Sequence, residues 1–154
     1  PPWGSKQAWY RVVWGQGVHE SRQPDLIVLA GFLWRIPENM IQKYSNQIIN
    51  IHPALLPKYG GKGMYGMRVH EAVKENGESE TGITIHYVNE NYDEGAIIFQ
   101  AKTTVLPEDT PAMIARKVHE LEYEHFPGVI EMLLNQKSSP NIASGDVDPS
   151  QGGV

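Results

Sequence analysis

The apolar residues of this chain form short segments that predict alternating strands and helices. Two continuous apolar runs, residues 26–31 and 48–52, are rich in Ile, Leu and Val and are typical of strands buried on both faces. Between them, residues 38–44 follow Pro37 and carry apolar side chains at helical spacing. A strand, a short helix and a second strand in this order favour a right-handed βαβ unit.

The second half of the chain predicts further helices. A helical pattern covers residues 64–76 and ends before Gly77, a common residue after the last helical turn. A longer helical pattern begins at Thr110, and we expect Pro127 to end or kink it. Residues 129–134 then predict a final apolar helix.

Two more strands are predicted between these helices. Residues 81–89 alternate between apolar and polar side chains, and residues 95–105 give a second strand. The short segment Asn91-Tyr92-Asp93-Glu94-Gly95 between them is expected to be the turn of a hairpin-like pair.

Composition restricts the class of protein. The chain has 154 residues, of which 40% are hydrophobic and 20% charged, which favours one globular domain. We expect an irregular segment over 1–23, an α/β domain over 24–135 and a disordered tail over 136–154. The net charge of -5 argues against a general nucleic-acid surface. Without cysteine there is neither a disulfide framework nor a thiolate metal site. No apolar run reaches the ~20 residues of a membrane span, and we expect a cytoplasmic protein.

Two polar residues end the second predicted strand. Asn50 and His52 point to the same side of the strand, which stops at Pro53 and Pro57. Ligands of open α/β sheets bind outside the carboxyl ends of strands, so this pair suggests a site. A histidine or asparagine there is also common as a satisfied turn or core residue. Asp93 lies in the predicted turn, where aspartate is favoured for conformational reasons alone.

The surrounding sequence resembles the folate-dependent formyltransferases. The string NIHPALLPKYGG over 50–61 and the string YDEGAII over 92–98 carry this resemblance, which extends over about residues 24–135. It is most similar to the phosphoribosylglycinamide (glycinamide ribonucleotide) formyltransferase branch of purine synthesis. The resemblance implies an α/β fold with an open, mostly parallel Rossmann-like sheet. The N-terminal strands and glycine-rich phosphate loop of that family find no match in this sequence.

The resemblance also implies a reaction. A formyl group would pass from 10-formyltetrahydrofolate to the amine of glycinamide ribonucleotide, without a metal or a covalent nucleophile. The catalytic set would be Asn50, His52 and Asp93. Asn50 offers an amide donor to the oxyanion, and His52 is a donor when protonated. Asp93 would raise the pKa of His52 and relay a proton through water.

The remaining site residues are expectations from the same resemblance. Folate contacts are expected from the segment after the first predicted strand and from the end of the strand over 81–89 and the residue after it, namely Leu33, Arg35, Val88, Asn89 and Glu90. Substrate contacts are expected from Gly31, Pro53 and Glu122. Supporting roles on the predicted strand fall to Thr84 and His86. The partners would be small-molecule substrates, with no nucleic acid and no membrane, and the protein would be a monomer or a homodimer.

Several alternatives remain open from the sequence. Methionyl-tRNA formyltransferases share Asn, His and Asp around the same string, and sugar-nucleotide formyltransferases are related. A non-catalytic folate-binding fragment is the alternative from a different class, and we expect weak or absent turnover by these 154 residues alone. His70, on the predicted helix 64–76, is expected to be a packing or surface residue rather than a catalyst.

Overall fold

The computed structural model describes residues 11–12, 24–30 and 36–138. These residues form a five-stranded sheet with helices on both faces. The elements in chain order are β1 (Arg11–Val12), β2 (Ile27–Ala30), α1 (Glu38–Lys43), β3 (Ile48–His52), α2 (Met67–Glu75), β4 (Glu80–Tyr87), β5 (Ile97–Thr104) and α3 (Pro111–Ser138).

The strands lie side by side in chain order. β2 and β3 are parallel, because the crossover helix α1 returns the chain to the same end of the sheet. The other three pairs are antiparallel. The expected α/β fold is confirmed, and so is the hairpin-like pairing of β4 with β5. A mostly parallel sheet was expected, and within the described strands parallel pairing is confined to β2–β3.

The hydrophobic core has two parts, one on each face of the sheet. Val28, Ile49 and Ile83 point to the face that α2 and α3 cover. Ile27 and Ile48 point to the opposite face, which α1 covers. Apolar side chains on both faces explain why the predicted strands read as continuous apolar runs.

The N-terminal boundary of the sheet differs from the expectation. Arg11–Val12 pairs antiparallel with Ile27 and Val28, so part of the segment expected to be irregular joins the sheet. The rest of residues 1–23 lies outside the described residues.

Helix α2 begins at Met67, three residues later than predicted. Gly66 has a φ angle of 55°, which a right-handed helix does not contain. The first three residues of the predicted helix, 64–66, are therefore not helical.

We expected Pro127 to end or kink the helix. Helix α3 is continuous through this proline, so the predicted end and the separate final helix are wrong, while a kink stays a prediction. A proline inside a helix costs roughly 3 kcal/mol. Val118 before the proline and Val129 and Leu133 after it are buried in the same core, and this burial offsets the cost. The helix includes residues 136–138, which were expected to belong to a disordered tail. None of the helices in the described part of the chain combines the length and apolar character that a membrane crossing requires.

Candidate active site

The pairing of β3 with β4 brings the predicted polar residues together. Asn50 lies opposite His86, and His52 lies opposite Thr84. The four side chains therefore share one face of two adjacent strands. Asp93 belongs to the turn that follows β4, and this turn folds back over the end of β3.

Asp93 lies between two imidazole rings. Its Oδ1 is 3.5 Å from Nδ1 of His52 and 3.5 Å from Nε2 of His86. Nδ2 of Asn50 is 3.3 Å from the same nitrogen of His86. The structure thus brings Asp93 to Asn50 and His52, which lie far from it in sequence, and adds His86 as a direct contact. We call these four residues the His–Asp cluster.

Neighbouring carbonyl groups fix which ring nitrogens carry protons. Nε2 of His52 donates to the carbonyl oxygen of Tyr59 at 2.7 Å, and Nδ1 of His86 donates to that of Tyr87 at 2.9 Å. A carbonyl oxygen can only accept, so each neutral ring keeps its proton on that nitrogen. Both rings therefore present an unprotonated nitrogen to Oδ1 of Asp93, and a proton that arrives at either nitrogen is shared with this carboxylate.

The turn holds Asp93 in a left-handed conformation. Its φ is 55°, which aspartate tolerates better than most residues. The backbone N–H of Gly61 donates to Oδ2 of Asp93 at 3.0 Å. A Cβ atom at Gly60 would lie 2.5 Å from the Leu56 side chain and 3.2 Å from Cβ of Asp93. Glycine at position 60 therefore allows the two loops to approach each other.

The electrostatics keep Asp93 charged and His52 neutral. Burial alone would raise the pKa of Asp93, but a hydrogen bond from His86, the positive charge of His52, both of which require a protonated ring, and the Gly61 N–H together lower it below 3.8. Burial lowers the pKa of His52 below 6.5 and outweighs the Asp93 charge and the Tyr59 carbonyl, which raise it. The expectation that Asp93 raises the pKa of His52 is thus right for the pair interaction and wrong for the net shift.

Thr84 holds the loop after β3 rather than the cluster. Its hydroxyl donates to the carbonyl oxygen of Ala54 at 2.7 Å and accepts from the N–H of Leu56 at 3.0 Å. Gln100 also donates to this hydroxyl at 2.9 Å and to the Leu56 carbonyl oxygen at 3.0 Å. The sequence reasoning missed Gln100, whose only signal is a polar side chain in a strand that faces the Thr84 position.

A cleft opens beside the His–Asp cluster. It is lined by apolar residues of β2 and the segment after it, by Asn50 and His86, and by the turn after β4. Its lining is Leu29, Ile36, Asn50, His86, Val88, Asn89, Glu90, Asn91, Tyr92 and Asp93. Three of the expected folate contacts, Val88, Asn89 and Glu90, therefore lie at this cleft, while Leu33 and Arg35 lie outside the described residues.

The expected substrate contacts are more scattered. Gly31 lies outside the described residues, and Pro53 is half-buried directly after His52. Glu122 is half-buried on α3, where its Oε2 is 3.2 Å from Nδ1 of His119. No described contact joins Glu122 to the His–Asp cluster.

His70 is a packing residue, as expected. Its side chain is 3% exposed on α2, and burial lowers its pKa to about 4. Within the described residues, no three His, Asp or Glu side chains are arranged to hold a metal ion.

Known proteins are similar to this chain in sequence and fold. The family model described as "Formyl transferase" matches residues 15–130, which begins upstream of the expected residue 24. The phosphoribosylglycinamide formyltransferase of Arabidopsis thaliana, named as chloroplastic, is 43% identical over 113 residues, which are 73% of this chain and 39% of that protein. The enzyme of the same name from Haemophilus influenzae is 41% identical over 112 residues, which are 73% of this chain and 50% of that protein.

Solved structures of proteins with the same name as these relatives have a similar fold. The phosphoribosylglycinamide formyltransferase of Anaplasma phagocytophilum superimposes with a TM-score of 0.67 at 35% identity, over 74% of this chain and 53% of that one. The chain therefore spans about half, or less, of the length of these relatives. Since the family model covers most of the sequence, the chain belongs to the formyl transferase family.

Proposed function

We propose that this chain carries the site at which a formyl group passes from 10-formyltetrahydrofolate to the amine of glycinamide ribonucleotide. The names of the relatives support the reaction. The observation that carries the proposal is the position of Asp93, whose Oδ1 is equidistant, at 3.5 Å, from unprotonated nitrogens of His52 and His86. This arrangement accepts a proton from an attacking amine and keeps it close to the reacting atoms.

In the proposed mechanism, the amine nitrogen attacks the formyl carbon and a carbon–nitrogen bond forms. The carbonyl electrons move to oxygen, and the second N–H of Asn50 donates to this oxyanion. The amine proton passes to the Asp93 carboxylate or to Nδ1 of His52. The electrons on the oxyanion then re-form the carbonyl, the bond between the formyl carbon and N10 of the folate breaks, and N10 takes up the proton held by the cluster. The cluster thus gains one proton and loses one in each turnover.

The donor is proposed to lie in the cleft beside the cluster. Its apolar wall of Leu29, Ile36 and Val88 suits the flat ring system of a folate, and Asn89 adds polar groups at the turn. Leu33 and Arg35 are proposed to complete this pocket. The acceptor is proposed to contact a second set of residues, Gly31, Pro53 and Glu122. Small-molecule substrates, a cytoplasmic location and a monomeric or homodimeric state belong to the same proposal.

Isothermal titration with a non-reactive 10-formylfolate analogue tests the donor site. We expect the 154-residue chain to bind the analogue, because it supplies all ten residues that line the described cleft. Absence of binding to the folded chain would contradict the proposed donor.

Product analysis tests the acceptor. An excess of the chain is incubated with 10-formyltetrahydrofolate and one acceptor at a time: glycinamide ribonucleotide, methionyl-tRNA or an amino sugar nucleotide. Of the three acceptors, we expect only glycinamide ribonucleotide to be formylated, at a slow rate. We expect the His52→Ala variant to lose most of this product. Equal formylation of another acceptor, or full activity of the His52→Ala variant, would overturn the assignment.

A further inference from the structure

One short loop contacts both His52 and Asp93. The carbonyl oxygen of Tyr59 accepts the Nε2 proton of His52 at 2.7 Å. Two residues later, the N–H of Gly61 donates to Oδ2 of Asp93 at 3.0 Å. Any movement of this loop, residues 58–61, therefore changes the relative position of the imidazole and the carboxylate.

The loop is attached to the segment before β4. The hydroxyl of Tyr59 donates to Oε1 of Glu78 at 2.9 Å, and Nζ of Lys58 donates to the same oxygen at 3.1 Å. The Tyr59 ring packs against the main hydrophobic core. Tyr59 also has a φ of 57°, an unfavourable backbone conformation that the surrounding contacts must maintain.

The bond from Tyr59 is the stronger of the two attachments. The Lys58 side chain is 68% exposed, and an exposed ion pair contributes little. The tyrosine hydroxyl donates to an ionised acceptor from a half-buried position, which makes a charge-assisted bond. Burial and the Glu78 bond raise the pKa of Tyr59 to about 12, so its hydroxyl remains a donor throughout the neutral range.

We propose that Tyr59 and Glu78 are positioning residues for the formyl-transfer site. Their bond fixes the loop so that the Tyr59 carbonyl holds the His52 proton on Nε2 and leaves Nδ1 facing Asp93. The catalytic purpose of this arrangement rests on the proposed function, whereas the arrangement itself is a property of the free protein.

Solvent exchange of the His52 Nε2 proton, followed by NMR in the 154-residue chain, tests the proposal. Its rate is divided by that of the β4 backbone amides, so that a general loss of stability cancels. Tyr59→Phe and Glu78→Ala are expected to raise this ratio roughly two- to tenfold, the equivalent of one net hydrogen bond. Glu78→Gln keeps an oxygen that accepts from Tyr59 and is expected to remain close to the unmodified chain.

Glu80→Ala is the matched control, because it removes a neighbouring carboxylate whose ion pair with Lys102 is also 3.1 Å long. An unchanged ratio in the folded Tyr59→Phe and Glu78→Ala variants would overturn the proposal, and so would an equal rise in Glu80→Ala. The readout needs no turnover. A raised ratio in a chain that does not bind the folate analogue would therefore leave the positioning role standing and contradict the proposed function alone.

Discussion

Thr84 and His86 lie two residues apart on the same face of β4, yet they belong to two different kinds of polar cluster. Both side chains are buried, with 0% and 2% exposure. The hydroxyl of Thr84 makes three hydrogen bonds of 3.0 Å or less. The contacts of His86 with Asn50 and Asp93 are 3.3 Å and 3.5 Å long.

The polar groups around Thr84 and the His–Asp cluster also differ in what they leave unpaired. Thr84 bonds to backbone groups of Ala54 and Leu56 and to the Gln100 amide, which are neutral and do not change charge near neutral pH. In the His–Asp cluster, Oδ1 of Asn50 is buried without a hydrogen-bond partner, and two imidazoles share one carboxylate oxygen. Fully satisfied polar groups stabilise a structure, whereas loosely paired titratable groups retain the capacity to bind a substrate or move a proton.

The largest expected effect comes from Asp93→Asn. The amide cannot take up a proton, so we expect formyl transfer to fall by roughly 10²–10⁴-fold, the usual contribution of acid–base catalysis. The variant should fold, because an amide oxygen can still accept from Gly61. Single-turnover product formation and thermal unfolding measure the two effects.

The pKa of His52 gives a check on this variant that does not depend on turnover. The Asp93 charge raises this pKa against the effect of burial. Asp93→Asn is therefore expected to lower the pKa of His52 further, measured by NMR titration. Retained turnover at normal folded content, or an unchanged His52 titration, would count against the role of Asp93.

Thr84→Val is expected to reduce the stability of the fold rather than the rate of formyl transfer. Valine has nearly the same shape as threonine but no hydroxyl. It leaves the Ala54 carbonyl oxygen and the Leu56 N–H buried without their partner. We expect a loss of about 2–3 kcal/mol in the free energy of unfolding, measured by urea denaturation, since unpaired buried groups cost about 1–3 kcal/mol each. A matched Thr103→Val change on β5 tests the substitution at a half-buried position and should cost less. Equal costs would remove the contrast between the two clusters.

The sequence was sufficient to predict four of the five strands, and the resemblance indicated Asn50, His52 and Asp93, which the structure brings close together. Apolar runs predicted β2 and β3, and the two motifs indicated His52 and Asp93. Hydrogen bonds from backbone carbonyls could not be predicted, because the Tyr59 carbonyl that orients His52 has no side-chain signature. The continuity of α3 through Pro127 was equally inaccessible, because it depends on burial on both sides of the proline.

His70 is a buried histidine outside the His–Asp cluster, and its titration can be compared with that of the cluster histidines. The pKa of His70 is about 4, below the ordinary 6.5, so between these values the unfolded chain binds more protons than the folded one. The contribution of His70 to stability is therefore complete above pH 6.5 and is lost as the pH falls towards 4. His70→Phe removes this loss, and at pH 5 we expect it to stabilise the protein relative to the unmodified chain by about 1–2 kcal/mol beyond any difference at pH 7.

Urea denaturation of both proteins at pH 7 and pH 5 measures this difference. The carboxylates with lowered pKa values, including Asp93 and Asp109, are common to both proteins and cancel in the comparison. A parallel loss of stability in the two proteins would show that His70 does not titrate in this range. Normal folate-analogue binding by the variant would separate a packing histidine from those of the cluster.

The smallest effect is expected from Lys102→Gln, which breaks an ion pair between β5 and β4. Its 3.1 Å contact with Glu80 is shorter than either imidazole contact of Asp93, but the two side chains are 63% and 51% exposed. Water screens such a pair, so we expect a change below about 0.5 kcal/mol in unfolding free energy and none in formyl transfer. A larger change would mean that contact length rather than burial separates the polar groups that matter in this protein, and the contrast between Thr84 and His86 would then need another explanation.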